Sequence, residues 1–266
     1  MSIIGFIGTG NMGGALARAA AKSVPKENIL LADAYAPVAE KLAQELGCAA
    51  VTVADVAKKA NIIFLGVKPQ VIGAMLKEIA PVLAGRQDFV LVSMAAGVVI
   101  SDIQKMAGGN YPVIRIMPNL PVQVGAGMIL YDYTENVTEA DLQAFLQAMS
   151  QAGKLDRLPE KLIDAGSALS GCGPAFVCLF AEALADGAVA CGLSRAQALA
   201  YAEQTLLGTA KTLLEKSMHP GVLKDAVCSP GGSTIAGVAA MEQGAFRASV
   251  IEGVAAAFQR TQELGK

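Results

Sequence analysis

Ile3-Ile4-Gly5-Phe6-Ile7-Gly8-Thr9-Gly10-Asn11-Met12-Gly13 decides the fold. The first five residues are almost continuously apolar, so they read as a strand buried on both faces rather than one that alternates core and solvent. Gly8, Gly10 and Gly13 then follow in G-x-G-x-x-G spacing, and a helical pattern opens and runs to about Lys22. Strand, glycine turn and helix in that order are the context in which this spacing holds a dinucleotide. The glycines allow the tight turn, the approach of backbone to a pyrophosphate and close helix–strand packing, while the helix start supplies N–H groups and a positive dipole end.

Working outward, short apolar runs recur at 29–32, 62–65, 89–93 and 113–117, separated by helical patterns such as 37–46 and 69–83. Strand and helix alternating at this spacing predict a doubly wound parallel sheet with right-handed crossovers. Residues 125–131 add a strand, Thr138 with Asp141 opens a helix through Gln151, and 155–158 reads as an edge strand. After Pro159 the alternation stops. The remainder reads as helices, with breaks at 171–174, 192–194, 219–221 and 229–232. The expected class is α/β: a dinucleotide-binding domain of residues 1–160, then an all-α domain of residues 161–266.

Composition narrows the function. The 266 residues carry 21 Lys plus Arg against 23 Asp plus Glu, a net charge of −2 that gives no electrostatic basis for binding nucleic acid or an anionic membrane. Hydrophobic residues make up 53% and charged ones 17%, which excludes a disordered chain. No run of about 18 uninterrupted apolar residues is present. The apolar stretch 169–193 carries Glu182 and Asp186 and reads as a buried soluble segment. With the first strand beginning near Met1, no secretory leader is expected and the chain reads as cytoplasmic. Five cysteines without C-x-x-C spacing predict neither a disulfide frame nor a metal site, but buried reduced thiols. Residues 162–210 hold only five charges: Asp164, Glu182, Asp186, Arg195 and Glu203. Helices apolar on nearly all sides need burial on nearly all sides, so the helical half is expected to complete itself against a second copy.

Candidate chemistry collects at the strand ends. Asp33 closes the second strand, 25 positions after Gly8, where an acid hydrogen-bonds the adenosine ribose and repels a 2′-phosphate, a surface turn residue being the competing reading. Gly66-Val67-Lys68-Pro69, Ser93-Met94-Ala95-Ala96-Gly97 and Met117-Pro118-Asn119 each follow a strand at the edge where open α/β sheets bind ligands. For Lys68 an exposed lysine before a proline is the competing reading, and for Asn119 a turn-forming role. In the helical half, Ser229-Pro-Gly-Gly-Ser-Thr234 reads as a small anion nest suited to a carboxylate, or else as an interhelical loop capped by Ser229 or Ser233. His219 is the only histidine, placed in a helix break where a local cap is the favoured role. Without a histidine dyad or a multi-histidine metal centre, hydride transfer to an already electrophilic carbon asks least of the protein.

The segment 223–242, with Ser229-Pro-Gly-Gly-Ser-Thr234 at its centre, closely resembles the signature of the pyrroline-5-carboxylate reductase family. The likeness extends through GFIGTGNMGGA from Gly5, GVKP at 66–69, SMAAGV at 93–98, RIMPN at 115–119, ALSGCGPAF at 168–176 and ALADGAVACGL at 183–193. It implies reduction of 1-pyrroline-5-carboxylate to L-proline by NAD(P)H, the last step of proline synthesis. It further implies a homodimer, or a larger homo-oligomer, in which one subunit's glycine-rich loop faces the other's nicotinamide. Carried onto this chain, Gly8, Thr9, Gly10, Asn11 and Met12 lie at the pyrophosphate, and Val67, Lys68, Pro69, Ala95 and Asn119 around the nicotinamide and its ribose. Ser229, Gly231, Gly232 and Ser233 hold the carboxylate, and the Thr234 hydroxyl reaches the ring nitrogen. Thr234 and Lys68 are the expected catalytic residues, and no metal is implied. Family habit favours NADPH while Asp33 favours NADH, and NADPH ranks first.

Two other readings fit the architecture. A β-hydroxyacid dehydrogenase needs a lysine four residues past the second glycine of a G-x-G at the start of its interdomain helix. Counted from Gly171-Cys172-Gly173, that position is the apolar Val177. A non-catalytic nucleotide-binding regulator has no use for a second, carboxylate-shaped nest.

Overall fold

A computed structural model describes residues 2–264. The chain falls into two compact units, one running to Cys172 and including the chain from Ala257 on, the other Gly173–Ala256.

The first unit is built on one eight-stranded sheet. Its strands are β1 (Ile4–Ile7), β2 (Ile29–Ala32), β3 (Ala49–Ala50), β4 (Ile62–Leu65), β5 (Val90–Ser93), β6 (Val113–Pro118), β7 (Gly127–Tyr133) and β8 (Gly153–Arg157), in the spatial order β3-β2-β1-β4-β5-β6-β7-β8. All neighbours pair in parallel except β6 and β7. The doubly wound sheet read from the sequence is therefore present, with 153–157 at its edge. β1, β2, β4 and β5 are buried at every position, as continuous apolar runs require. Alternate residues feed two cores on opposite faces. Phe6, Leu16, Phe64 and Phe145 belong to one, and Ile7, Leu65, Leu76 and Leu91 to the other. Phe6 and Phe64 stack with ring centres 4.6 Å apart.

The helices α1 (Asn11–Ala20), α2 (Ala36–Leu46), α3 (Val53–Lys59), α4 (Pro69–Leu83), α5 (Ile100–Ala107), α6 (Glu139–Met149) and α7 (Glu160–Ser170) complete this unit. Thr138 caps α6, its hydroxyl accepting from the Asp141 N–H at 3.2 Å. α3, α5 and β3, at 7, 8 and 2 residues, are too short to stand out as periodic patterns. β7 begins two residues later than the sequence predicts, because 120–124 form a 3-10 turn that Gly125 closes at φ +73°.

The second unit is helical: α8 (Gly173–Ala190), α9 (Arg195–Lys216), α10 (Pro220–Val227), α11 (Ser233–Gln243) and most of α12 (Phe246–Leu264). Four breaks fall near the expected places, and a fifth, unforeseen, lies at 244–245, where Ala245 adopts φ +56°. Residues 169–193 are not buried within one chain, in keeping with helices that complete themselves against a second copy: along α8 only Ala185 is buried, while Val177 and Leu179 stand open. By length and composition, Glu160–Ala190 could even cross a membrane. The cysteines are free, but none is buried, with Cys178 and Cys191 exposed on the same helical region. The cause of both is the same. A helix apolar all round cannot bury itself in so thin a bundle.

Candidate active site

β1 is the point where the sheet reverses its winding, with β2 on one side and β4 on the other. Ligands of open α/β sheets bind at the carboxyl ends of strands at such a point. There the loops after β1 and β4 meet backbone to backbone. Gly8 sits at φ +94°, and a Cβ on it would lie 2.7 Å from the Gly66 carbonyl and 2.9 Å from the Val67 nitrogen. Gly13 and Gly66 are equally constrained, since a Cβ on either would collide with the Gly8 carbonyl oxygen. Gly10 is different: a Cβ there meets nothing within 4 Å. Two glycines thus close the turn and the third leaves space open in front of α1. No side chain caps that helix, and its first turn carries no acid. The N–H groups of Asn11, Met12 and Gly13 have no intrahelical carbonyl to meet, which suits an anion. These residues fit the diphosphate of a dinucleotide.

Asp33, beyond β2, is tied back to the glycine turn. Its Oδ2 accepts from the Thr9 N–H at 2.7 Å and the Thr9 hydroxyl at 3.2 Å, and its Oδ1 accepts from the Tyr35 N–H at 3.1 Å. A cavity of about 460 Å³ opens beside it, lined by Thr9, Arg18, Tyr35, Val38, Lys41 and Glu45. Arg18 forms a bidentate pair with Glu45 at 2.6 and 2.7 Å, which raises the Arg18 pKa and holds the Glu45 carboxyl below its ordinary range. Lys41 and Arg18 are basic groups lining this cavity that sequence reading missed. They lie on two helices brought together only by packing, and no spacing in the chain announces them.

Along the same edge, Lys68 is exposed at the start of α4 with Pro69 in its first turn, and Val67 packs partly into the core. Ala95 is buried, its N–H reaching the Ser93 hydroxyl at 3.4 Å. Asn119 is only 9% exposed and its amide is engaged inside the protein. Nδ2 donates to the Ser170 carbonyl at 2.9 Å, and Oδ1 accepts from the Met128 N–H at 2.8 Å. It is foremost a clamp between β6, β7 and the end of α7.

In the helical unit the loop 228–232 leads into α11. Gly231 takes φ +67°, and a Cβ on Gly232 would collide with the Ser229 hydroxyl. Gly232 itself stands at the cap position, no side chain caps the helix, and its first turn has no acid. Neither Ser229 nor Ser233 is therefore spent as a cap. The N–H groups of Ser233, Thr234 and Ile235 precede the first intrahelical bond, from Ala236 to Gly232, and stand ready for a carboxylate. His219, by contrast, is a cap: its Nδ1 accepts from the Gly221 N–H at 3.1 Å.

Comparison with known proteins agrees with this geometry. A family model described as pyrroline-5-carboxylate reductase dimerisation matches residues 160–264, and one described as NADP oxidoreductase, coenzyme F420-dependent, matches residues 3–97. The chain is 40% identical over 266 residues to the pyrroline-5-carboxylate reductase of Methanosarcina acetivorans, an alignment covering 99% of this chain and 98% of that one. Among solved structures, a pyrroline-5-carboxylate reductase from Coxiella burnetii superposes with a TM-score of 0.92 at 30% identity, covering 100% and 99% of the two chains. The Plasmodium falciparum pyrroline carboxylate reductase with NADP bound gives 0.88 at 30% identity, covering 100% and 98%. The exposed apolar face of α8 lies inside the stretch that the dimerisation model matches.

Proposed function

The chain belongs to the pyrroline-5-carboxylate reductase family, and on that premise we propose that it reduces 1-pyrroline-5-carboxylate to L-proline with NADPH, NADH being the alternative donor. The observation that carries this reading is the uncapped, acid-free start of α11 between Gly231 and Thr234, a ready seat for the carboxylate of a small cyclic imino acid. The nicotinamide cofactor, when bound, supplies the hydride that adds to the imine carbon. The rest of the work is positioning. Backbone of Gly8, Thr9, Gly10, Asn11 and Met12 holds the diphosphate, and Val67, Lys68, Pro69, Ala95 and the backbone of Asn119 form the floor toward the nicotinamide. Ser229, Gly231, Gly232 and Ser233 of the second copy hold the carboxylate, and its Thr234 hydroxyl hydrogen-bonds the imine nitrogen. Because the imine can take its proton from solvent, no strong general acid is needed. Lys68, exposed at the same rim, stands beside the nicotinamide ribose.

Lys41 in the cavity beside Asp33 supports a 2′-phosphate and hence NADPH, Arg18 being paired with Glu45; the Asp33 carboxylate opposes it. The helical half pairs with a second copy. We place the functional boundary at residue 160, where the dimerisation match begins, and the enzyme in the cytoplasm. The test is loss of NADPH absorbance on adding 1-pyrroline-5-carboxylate, repeated with NADH, with 3-hydroxyacids tried in the oxidative direction. Activity with the hydroxyacids alone would replace this reading by the dehydrogenase one.

A further inference from the structure

The first unit contains a buried ionic group that the chemistry above does not use. Arg115, on β6, is 1% exposed, and it reaches the carboxylates of Glu160 at 3.3 Å and Asp164 at 2.7 Å, both on α7. Its Nε has no partner, the only such buried side-chain atom among the described residues. Buried ion pairs with unmet hydrogen bonds are poor stabilisers compared with apolar packing, so stability alone does not account for this one.

Its surroundings do. Arg115 pairs in register with Ser93, the last residue of β5, which fixes one end of the loop 94–99. The other end enters α5, whose cap residue Val99 offers no side-chain hydrogen bond. Glu160 takes over that role from 60 residues away, its Oε1 accepting from the Ile100 N–H at 2.7 Å. The same carboxylate oxygen therefore touches Arg115 and the start of α5. Glu160 is itself held, its own N–H donating to Asp132 Oδ2 at 2.8 Å. The loop that contains Ala95 and Gly97 thus leaves the strand pairing beside Arg115 at one end and enters α5 on the carboxylate that Arg115 holds at the other. Asp164 shares the arginine but makes no contact with α5 in the hydrogen bonds found.

We propose that Glu160, held by Arg115, is a positioning residue for cofactor binding: it acts as a remote cap on α5 and so fixes the loop 94–99 that floors the nicotinamide. The inference rests on the assignment of that loop to the cofactor. It is tested on the full-length protein by titrating NADPH fluorescence and recording thermal unfolding for Glu160→Ala, Glu160→Gln and Asp164→Asn. Glu160→Ala loses both the cap and the charge, and its Kd for NADPH should rise about fivefold, the usual scale of a lost cap. Glu160→Gln keeps an oxygen for the Ile100 N–H and should stay within about twofold of wild type. Asp164→Asn should lower the melting temperature while leaving the Kd unchanged. An unmoved Kd in Glu160→Ala overturns the proposal, as does an equal rise in Asp164→Asn, which would make the effect a general loss of stability. A wild-type protein that binds neither NADPH nor NADH would overturn the cofactor assignment and this inference together; normal wild-type binding with an unmoved Glu160→Ala overturns this inference alone.

Discussion

The two units spend their apolar residues in opposite ways. In the first, β1, β2, β4 and β5 are wholly buried and helices such as α1 and α4 hide one face completely. In the second, α10 and α11 bury no residue, α8 buries one, and Leu179, Leu207 and Ile251 are 66%, 62% and 69% exposed. A sheet covered on both sides is a finished object, whereas a thin bundle of apolar helices is half of one. The proposed nucleotide grip lies on the finished part and the proposed carboxylate seat on the unfinished part. Binding of cofactor and binding of substrate should therefore respond differently to dilution and to mutation.

The sharpest way to break the contrast is Leu179→Lys. A lysine placed in an apolar contact between copies leaves a charge that cannot be buried unpaired. Sedimentation should show dissociation, and turnover with 1-pyrroline-5-carboxylate should fall about a hundredfold or more, since several kcal/mol of association are lost from each contact. NADPH should still bind; if the dissociated protein keeps full activity, the second unit is not incomplete after all. Next in size is Thr234→Ala. Its hydroxyl caps nothing, so folding and dimerisation should be unaffected while kcat falls about tenfold or more. Equal kcat and KM in that variant would remove Thr234 from the chemistry.

A smaller effect belongs to the first unit. Asp33→Asn keeps an oxygen for the Thr9 N–H and removes the charge, so the KM for NADPH should fall about threefold and that for NADH rise, independently of protein concentration. A concentration-dependent response would mean that the first unit is not self-contained. The smallest is Asp88→Asn. The Arg86 guanidinium, 2.9 Å away, holds the Asp88 carboxyl below its ordinary range. A lowered carboxyl pKa contributes stability above the unfolded value and loses it as pH falls through the folded one. The substitution should cost at most about 0.5 kcal/mol at neutral pH, because the aspartate is exposed, and nothing once the medium is well below about pH 4. Thermal unfolding at the two pH values checks this.

Much of the architecture is legible from residues close together in the chain. The buried strands are continuous apolar runs, and the glycine turn carries its own spacing, so residues 3–13 alone point to the sheet, its first helix and an anion site. The start of α11 is legible in the same way, because Gly231, Gly232 and the hydroxyls are neighbours. What escapes is whatever depends on distant partners. Arg115 sits in an apolar strand, and its acids lie 45 and 49 positions further on. That Asn119 is an internal clamp follows from Ser170, 51 positions away. Lys41 and Arg18 share a cavity only because α1 and α2 pack side by side. The cysteines were misplaced for a related reason: apolar sequence reports a need for burial, not whether the chain itself meets it.

The bare contact between Gly8 and Gly66 has one more consequence. Where side chains are excluded, a ligand is held by peptide groups, and peptide N–H groups neither change charge with pH nor react with oxidants. On the proposed assignment, the diphosphate end of the nucleotide is gripped by donors that acidification or oxidation of the medium leaves alone. Nucleotide retention should therefore outlast catalysis when the medium turns acidic or oxidising.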